Sequence, residues 1–97
     1  MQINKIIEGE KITIALEGKL DSTTFSLLEK EIEKTDLKEK TVCLDLKDLE
    51  YISSAGLRVV LKLKKIMDRL GKLEVINPNE LVLEVFEITG FSAILGL

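Results

Sequence analysis

Histidine and tryptophan are absent from this chain, cysteine and proline occur once each, and only Phe25, Tyr51, Phe86 and Phe91 are aromatic. The lack of histidine removes imidazole metal sites and histidine-based triads, and a single cysteine can build neither an internal disulfide nor a thiolate zinc site. Cys43 lies within a hydrophobic stretch and reads as a buried thiol. No apolar run approaches the roughly 20 residues that cross a bilayer. Met1-Gln2-Ile3-Asn4-Lys5 lacks the long apolar core and cleavage site of a secretory signal, so a cytoplasmic protein without a membrane partner is expected. A net charge of −3 and four scattered aromatics with no stacking series argue against nucleic acid as a partner.

What is present is ordinary for a globular domain. Ninety-seven residues, 45% hydrophobic and 32% charged, are expected to form one domain spanning residues 1–97. Lys5-Ile6-Ile7 and Lys11-Ile12-Thr13-Ile14-Ala15-Leu16 read as two strands joined at Glu8-Gly9-Glu10. Phe25, Leu28 and Ile32 follow helical spacing from Ser22 to about Lys34, with Asp21 or Ser22 as cap. Val42, Leu44 and Leu46 alternate as a strand, after which Asp48 and Glu50 read as a short connection. A long amphipathic helix follows on Gly56, Val59, Val60, Leu63, Ile66, Met67 and Leu70, stopped by Gly71. Leu73-Glu74-Val75-Ile76 is a short strand ended by Asn77-Pro78-Asn79. Leu81, Val82, Val85 and Phe86 recur helically to Gly90, and Phe91-Ser92-Ala93-Ile94-Leu95 is expected to be an edge strand. The fold class is therefore α/β, a mixed sheet of four to five strands with helices mainly on one face.

Charge is uneven along this order. Arg58, Lys62, Lys64, Lys65, Arg69 and Lys72 face only Asp68 between positions 58 and 72, so the long helix is basic while the rest of the chain is acidic. Such a helix suits an acidic partner surface or phosphates, and it equally suits a merely solvated face.

The richest segment is Tyr51-Ile52-Ser53-Ser54-Ala55-Gly56-Leu57-Arg58, where two hydroxyls stand between a strand and a helix. Serine at such a place caps the first amides of the helix, and the same amides and helix dipole favour a phosphate.

Asp45-Leu46-Lys47-Asp48-Leu49-Glu50-Tyr51-Ile52-Ser53-Ser54-Ala55-Gly56-Leu57 resembles the signature of the STAS domain, shared by bacterial anti-sigma factor antagonists and the cytoplasmic tails of sulfate transporters. Gly18-Lys19-Leu20-Asp21-Ser22-Thr23-Thr24 is similar to the family's Gly-x-Leu-Asp segment, and Phe86-Glu87-Ile88-Thr89-Gly90-Phe91 to its late helix ending in glycine. The resemblance spans nearly the whole chain; the final helix common in antagonist domains is expected to be missing.

The resemblance implies a non-enzymatic regulator of transcription that binds an anti-sigma serine kinase and is released once phosphorylated, with a PP2C-like phosphatase as a further partner. It implies no cofactor and no metal, and a monomer or weak dimer. By position, Ser54 is the phosphoacceptor, and Ser53 stands where the antagonists typically carry Asp. Asp21, Ser22, Thr24, Ile52, Ser53, Ser54, Gly56, Leu57, Arg58 and Lys62 form the expected partner surface. A constitutive STAS scaffold or small-ligand-sensing module, with Ser54 only a cap, is the alternative. A hydrolase is disfavoured because Ser54 with Asp21 lacks a third catalytic group.

Overall fold

A computed structural model describes residues 1–97. The strands are β1 (Gln2–Glu8), β2 (Lys11–Leu20), β3 (Thr41–Ile52) and β4 (Lys72–Ile76); the helices are α1 (Phe25–Glu33), α2 (Ser54–Leu70), α3 (Glu80–Ile88) and α4 (Phe91–Leu95). The four strands form one sheet in the order β1-β2-β3-β4. β1 runs antiparallel to β2 through a tight hairpin in which Gly9 takes a φ of +62°. β2, β3 and β4 are parallel neighbours. Their crossovers, α1 and α2, step across the sheet in one direction, and the common handedness of such connections lays both helices on the same face.

β3 is longer than its alternation suggests. The expected connection at Asp48 and Glu50 is strand, because two β-bulges keep the pairing with β2 going to Ile52. Between the pairs Ala15↔Asp45 and Glu17↔Asp48, and again between Gly18↔Leu49 and Lys19↔Tyr51, β3 uses one residue more than β2. Each extra residue resets the side-chain phase. Unbroken alternation after Leu46 would turn Asp48 and Glu50 inward; with the bulges Leu49 and Ile52 are each 1% exposed instead. Burying those two side chains stabilises by about 1.5–3 kcal/mol apiece, more than the roughly 1 kcal/mol of a disturbed ladder hydrogen bond.

Twenty buried apolar residues from β2, β3, β4, α1, α2, α3 and the Leu37 loop make one continuous core. Cys43 is buried in β3, and that burial pushes its thiol above the ordinary value. Phe86 is completely buried in the core, whereas Phe25 and Phe91 pack at its margin and Tyr51 is exposed.

Two further expectations are corrected. The first helix begins at Phe25, because residues 21–24 are held in a separate turn. Residues 91–95 form a short helix rather than an edge strand. Gly90 turns the chain in the left-handed region (φ +80°), and α4 then folds back on α3 instead of reaching β4, so a helix does follow α3.

Candidate functional site

The site forms where two parallel neighbours end together. Leu20 closes β2 opposite Ile52 at the close of β3, so segments 21–24 and 53–54 leave the sheet side by side. One hydrogen bond joins them: the Ser53 N–H donates to the Leu20 carbonyl at 2.9 Å. The carboxyl ends of adjacent parallel strands are where α/β sheets gather binding groups.

The first segment is locked by its own side chains. The Asp21 Oδ1 accepts from the Thr23 hydroxyl at 2.7 Å and from the Thr23 N–H at 2.9 Å. The Thr24 hydroxyl donates to the Lys19 carbonyl at 2.7 Å and accepts from the Asp21 N–H at 2.9 Å. The Thr23 hydroxyl and amide, with help from Thr24, hold the Asp21 carboxyl below the ordinary aspartate value. Ser22 remains exposed at the tip of this turn.

The second segment opens α2. Ser53 is the N-cap, with extended backbone (φ −99°, ψ 178°), and its carbonyl accepts the first helical bond from the Leu57 N–H at 2.9 Å. Its hydroxyl makes no capping bond and is buried without a partner. Ser54, the first residue of the helix, is exposed. No acidic residue occupies the first turn. The opening amides of α2 are therefore unclaimed by any side chain, and no carboxylate competes for the positive end of the helix. Arg58, exposed and free of ion pairs, lies one turn along on the same side as Ser54.

Gly56 sets the height of this helix end. A β-carbon there would lie 2.7 Å from the Leu20 carbonyl oxygen and 2.9 Å from Ile52 Cγ1, so only glycine lets α2 press onto the ends of β2 and β3.

The expected partner surface thus divides. Asp21, Ser22, Ser53, Ser54 and Arg58 meet at one end of the molecule. Ile52, Gly56 and Leu57 are buried and form the floor of the site; the bulge that saves Ile52 for the core removes it from any contact surface. The Thr24 hydroxyl is spent internally. Lys62 lies two turns down α2, facing Glu29 of α1 at 3.6 Å. Sequence reasoning passed over Thr23, although Asp-x-Thr is the pattern of a side-chain-closed turn. It also passed over Asn79, whose amide nitrogen donates to the Leu49 carbonyl at 2.9 Å while its oxygen caps α3 by accepting from the Val82 N–H at 2.7 Å.

A cavity of about 420 Å3 lies elsewhere, between the C-terminal halves of α1 and α2, with Ile32, Leu37, Ile66 and Leu70 as its apolar lining. Ile66 is twelve residues beyond Ser54, about 18 Å along the helix, so this cavity is separate from the serine site. No group of three or more acidic, cysteine or histidine side chains converges to hold a metal ion. No helix is long and apolar enough to cross a membrane.

Comparison with known proteins places these features in context. The family model described as Mlab, STAS domain matches residues 3–96. BtrV of Bordetella bronchiseptica, designated an anti-sigma factor antagonist, is 44% identical over 90 residues, covering 91% of this chain and 77% of that protein. The crystal structure of an anti-sigma factor antagonist from Mycobacterium paratuberculosis superposes with a TM-score of 0.85 at 16% identity, over 96% of this chain and 80% of that one. The antagonist SpoIIAA in its unphosphorylated form gives a TM-score of 0.76 at 20% identity, over 95% and 84% of the two chains. The phosphorylated form of SpoIIAA, a Bacillus cell fate determinant, gives 0.64 at 19% identity, over 95% and 86%. At these identities the structural matches speak for the fold.

Proposed function

The chain belongs to the STAS domain family of anti-sigma factor antagonists, and on that premise we propose that it is a phosphorylation-switched binding protein acting in the cytoplasm. Unphosphorylated, it docks the end of the molecule that carries Asp21, Ser22, Ser53, Ser54 and Arg58 onto an anti-sigma serine kinase, freeing the sigma factor or similar regulator that the kinase would hold. Phosphorylated on Ser54, it is released, and a PP2C-like phosphatase restores it.

The observation that carries this reading is the exposed Ser54 hydroxyl on the first residue of an uncapped helix with no acid in its first turn. A phosphate there adds a charge of about −1.5 to −2. Within the domain that charge is tolerated, since the opening amides and the helix dipole favour an anion and Arg58 is one turn away. Across an interface it is not tolerated: the dianion must lose water and oppose any carboxylates of the partner. An opposition of about 2.8 kcal/mol weakens affinity a hundredfold. Ser53 in place of the family's Asp leaves the residue next to the acceptor uncharged, a departure that bears on kinase recognition and on the stability of the phosphate.

The reading is tested by titrating the cognate anti-sigma kinase with wild type, Ser54→Ala and Ser54→Asp. Ser54→Ala is expected to bind like wild type and Ser54→Asp to bind about ten- to a hundredfold more weakly, or about 1.4–2.8 kcal/mol. Unchanged affinity for Ser54→Asp would favour a constitutive scaffold instead.

A further inference from the structure

Arg58 is an exposed cation that its surroundings leave unmatched. Residues three and four positions apart share a side of a helix, and for Arg58 these are Ser54, Ala55, Leu61 and Lys62, none of them acidic. Glu29 of α1 reaches Lys62 at 3.6 Å and not Arg58, and Asp68, the one acid of α2, is held by Lys64 at 2.7 Å. Asp21, which shares the Ser54 end of the molecule, has its Oδ1 engaged by Thr23 and Thr24 and forms no ion pair.

Helix geometry sets the direction in which this side chain reaches. Every Cα–Cβ bond tilts toward the helix N-terminus, so a long side chain covers the turn before its own, and for residue 58 that turn begins at Ser54. The two Cβ atoms of such a pair stand about 5–6 Å apart, and an anion placed N-terminal to the cation is the more favourable order. A guanidinium fork can meet two oxygens of a phosphate across that gap, a pairing that a serine hydroxyl does not offer.

We infer that Arg58 changes partner with the state of Ser54: it is free for a carboxylate of the docked kinase while Ser54 bears a hydroxyl, and it closes on the phosphate once Ser54 is phosphorylated. Phosphorylation then takes a cation from the docking surface as well as adding a dianion to it. The inference rests on Ser54 as the phosphoacceptor and adds to that reading a positioning residue, which holds the phosphate against its own helix.

Phosphoserine installed at position 54 of the full chain by codon reassignment tests the capture without any kinase. The chain has no histidine, so no imidazole shares the range near pH 6 in which the phosphate takes up its second proton. In a 31P NMR titration at about 0.1 M salt, the midpoint is expected to rise by about 0.3 unit or more from wild type to Arg58→Gln, a roughly twofold change in proton affinity, with Arg58→Lys in between. Lys65→Gln is the control. It lies on the same side but about 16.5 Å along α2 from Ser54, beyond the screening length of about 10 Å, and should leave the midpoint in place. Without phosphate, Arg58→Gln is expected to bind the cognate kinase at least about fivefold more weakly than wild type. Both positions are exposed, and circular dichroism checks that each variant is folded. Equal midpoints for wild type and Arg58→Gln, or unchanged kinase affinity in Arg58→Gln, would each overturn the exchange. Failure of the phosphoswitch itself shows separately, as Ser54→Asp binding the kinase like wild type while the midpoints still differ.

Discussion

At the scale of single residues, Ser53 and Asp21 depart from what their types usually do. A serine N-cap replaced by alanine costs about 1 kcal/mol, because its oxygen normally accepts from an amide of the first turn. The Ser53 oxygen accepts from none and is buried without a partner. Ser53→Ala is therefore expected to leave urea-unfolding stability unchanged within about 0.5 kcal/mol, or to raise it. A loss of 1 kcal/mol would mean that the oxygen caps the helix after all. Spacing allows either Asp21 or Ser22 as the helix cap, whereas Thr24 holds that position and Asp21 anchors a turn preceding the helix. Its carboxyl is held below the ordinary value by Thr23 and Thr24, so the ionised form is favoured in the folded chain. That contribution is present above the unfolded value and is lost as pH falls through the folded one. The stability gap between wild type and Asp21→Asn is thus expected at about pH 6 and should narrow as pH falls below about 4. A gap that stayed constant across the range would show that the carboxylate charge plays no part.

At the scale of elements, the parts legible in the sequence were those with several turns or pleats of pattern. The long helix from Ser54 to Leu70 and the alternation of Val42, Leu44 and Leu46 came through because each repeats often enough to fix its period. The end of β3 did not, since a bulge moves residues from one face to the other and local alternation carries no trace of the partner strand. α4 fell to a different cause. Phe91, Ala93 and Leu95 suit a strand's period of two, while Phe91 and Leu95, the pair that packs on the core, suit a helix equally well. Five residues cannot separate the two periods, and the left-handed turn at Gly90 decided it. Asn79 ties α3 to β3 through both ends of one side chain, by the cap to Val82 and the donor to Leu49. Asn79→Ala is expected to cost about 1–3 kcal/mol, the sum of a lost cap and an unpaired carbonyl, read from the urea midpoint at constant slope. A cost below about 0.5 kcal/mol would show that α3 is held by Val82 and Phe86 alone.

At the scale of the whole molecule, function follows from which strand ends are neighbours. Asp21 and Ser54 are 33 residues apart in sequence, and the parallel pairing of β2 with β3 delivers their segments to one edge. The motif around Ser54 was readable beforehand, and so was its place at the start of a helix. Which of its flanking residues face a partner was not readable, because the burial of Ile52, Gly56 and Leu57 depends on how closely α2 lies on the sheet. The fold supplies a buried floor, an unclaimed helix end and an exposed serine at its first residue, and the proposed switch rests on that arrangement.

The most direct measurement is phosphosite mapping. The chain is incubated with the cognate anti-sigma kinase and ATP, and wild type, Ser53→Ala and Ser54→Ala are compared by tandem mass spectrometry. A single phosphate on Ser54, retained in Ser53→Ala and absent from Ser54→Ala, is the expected result. Full phosphorylation of Ser54→Ala, or a phosphate mapped to Ser53, would contradict it.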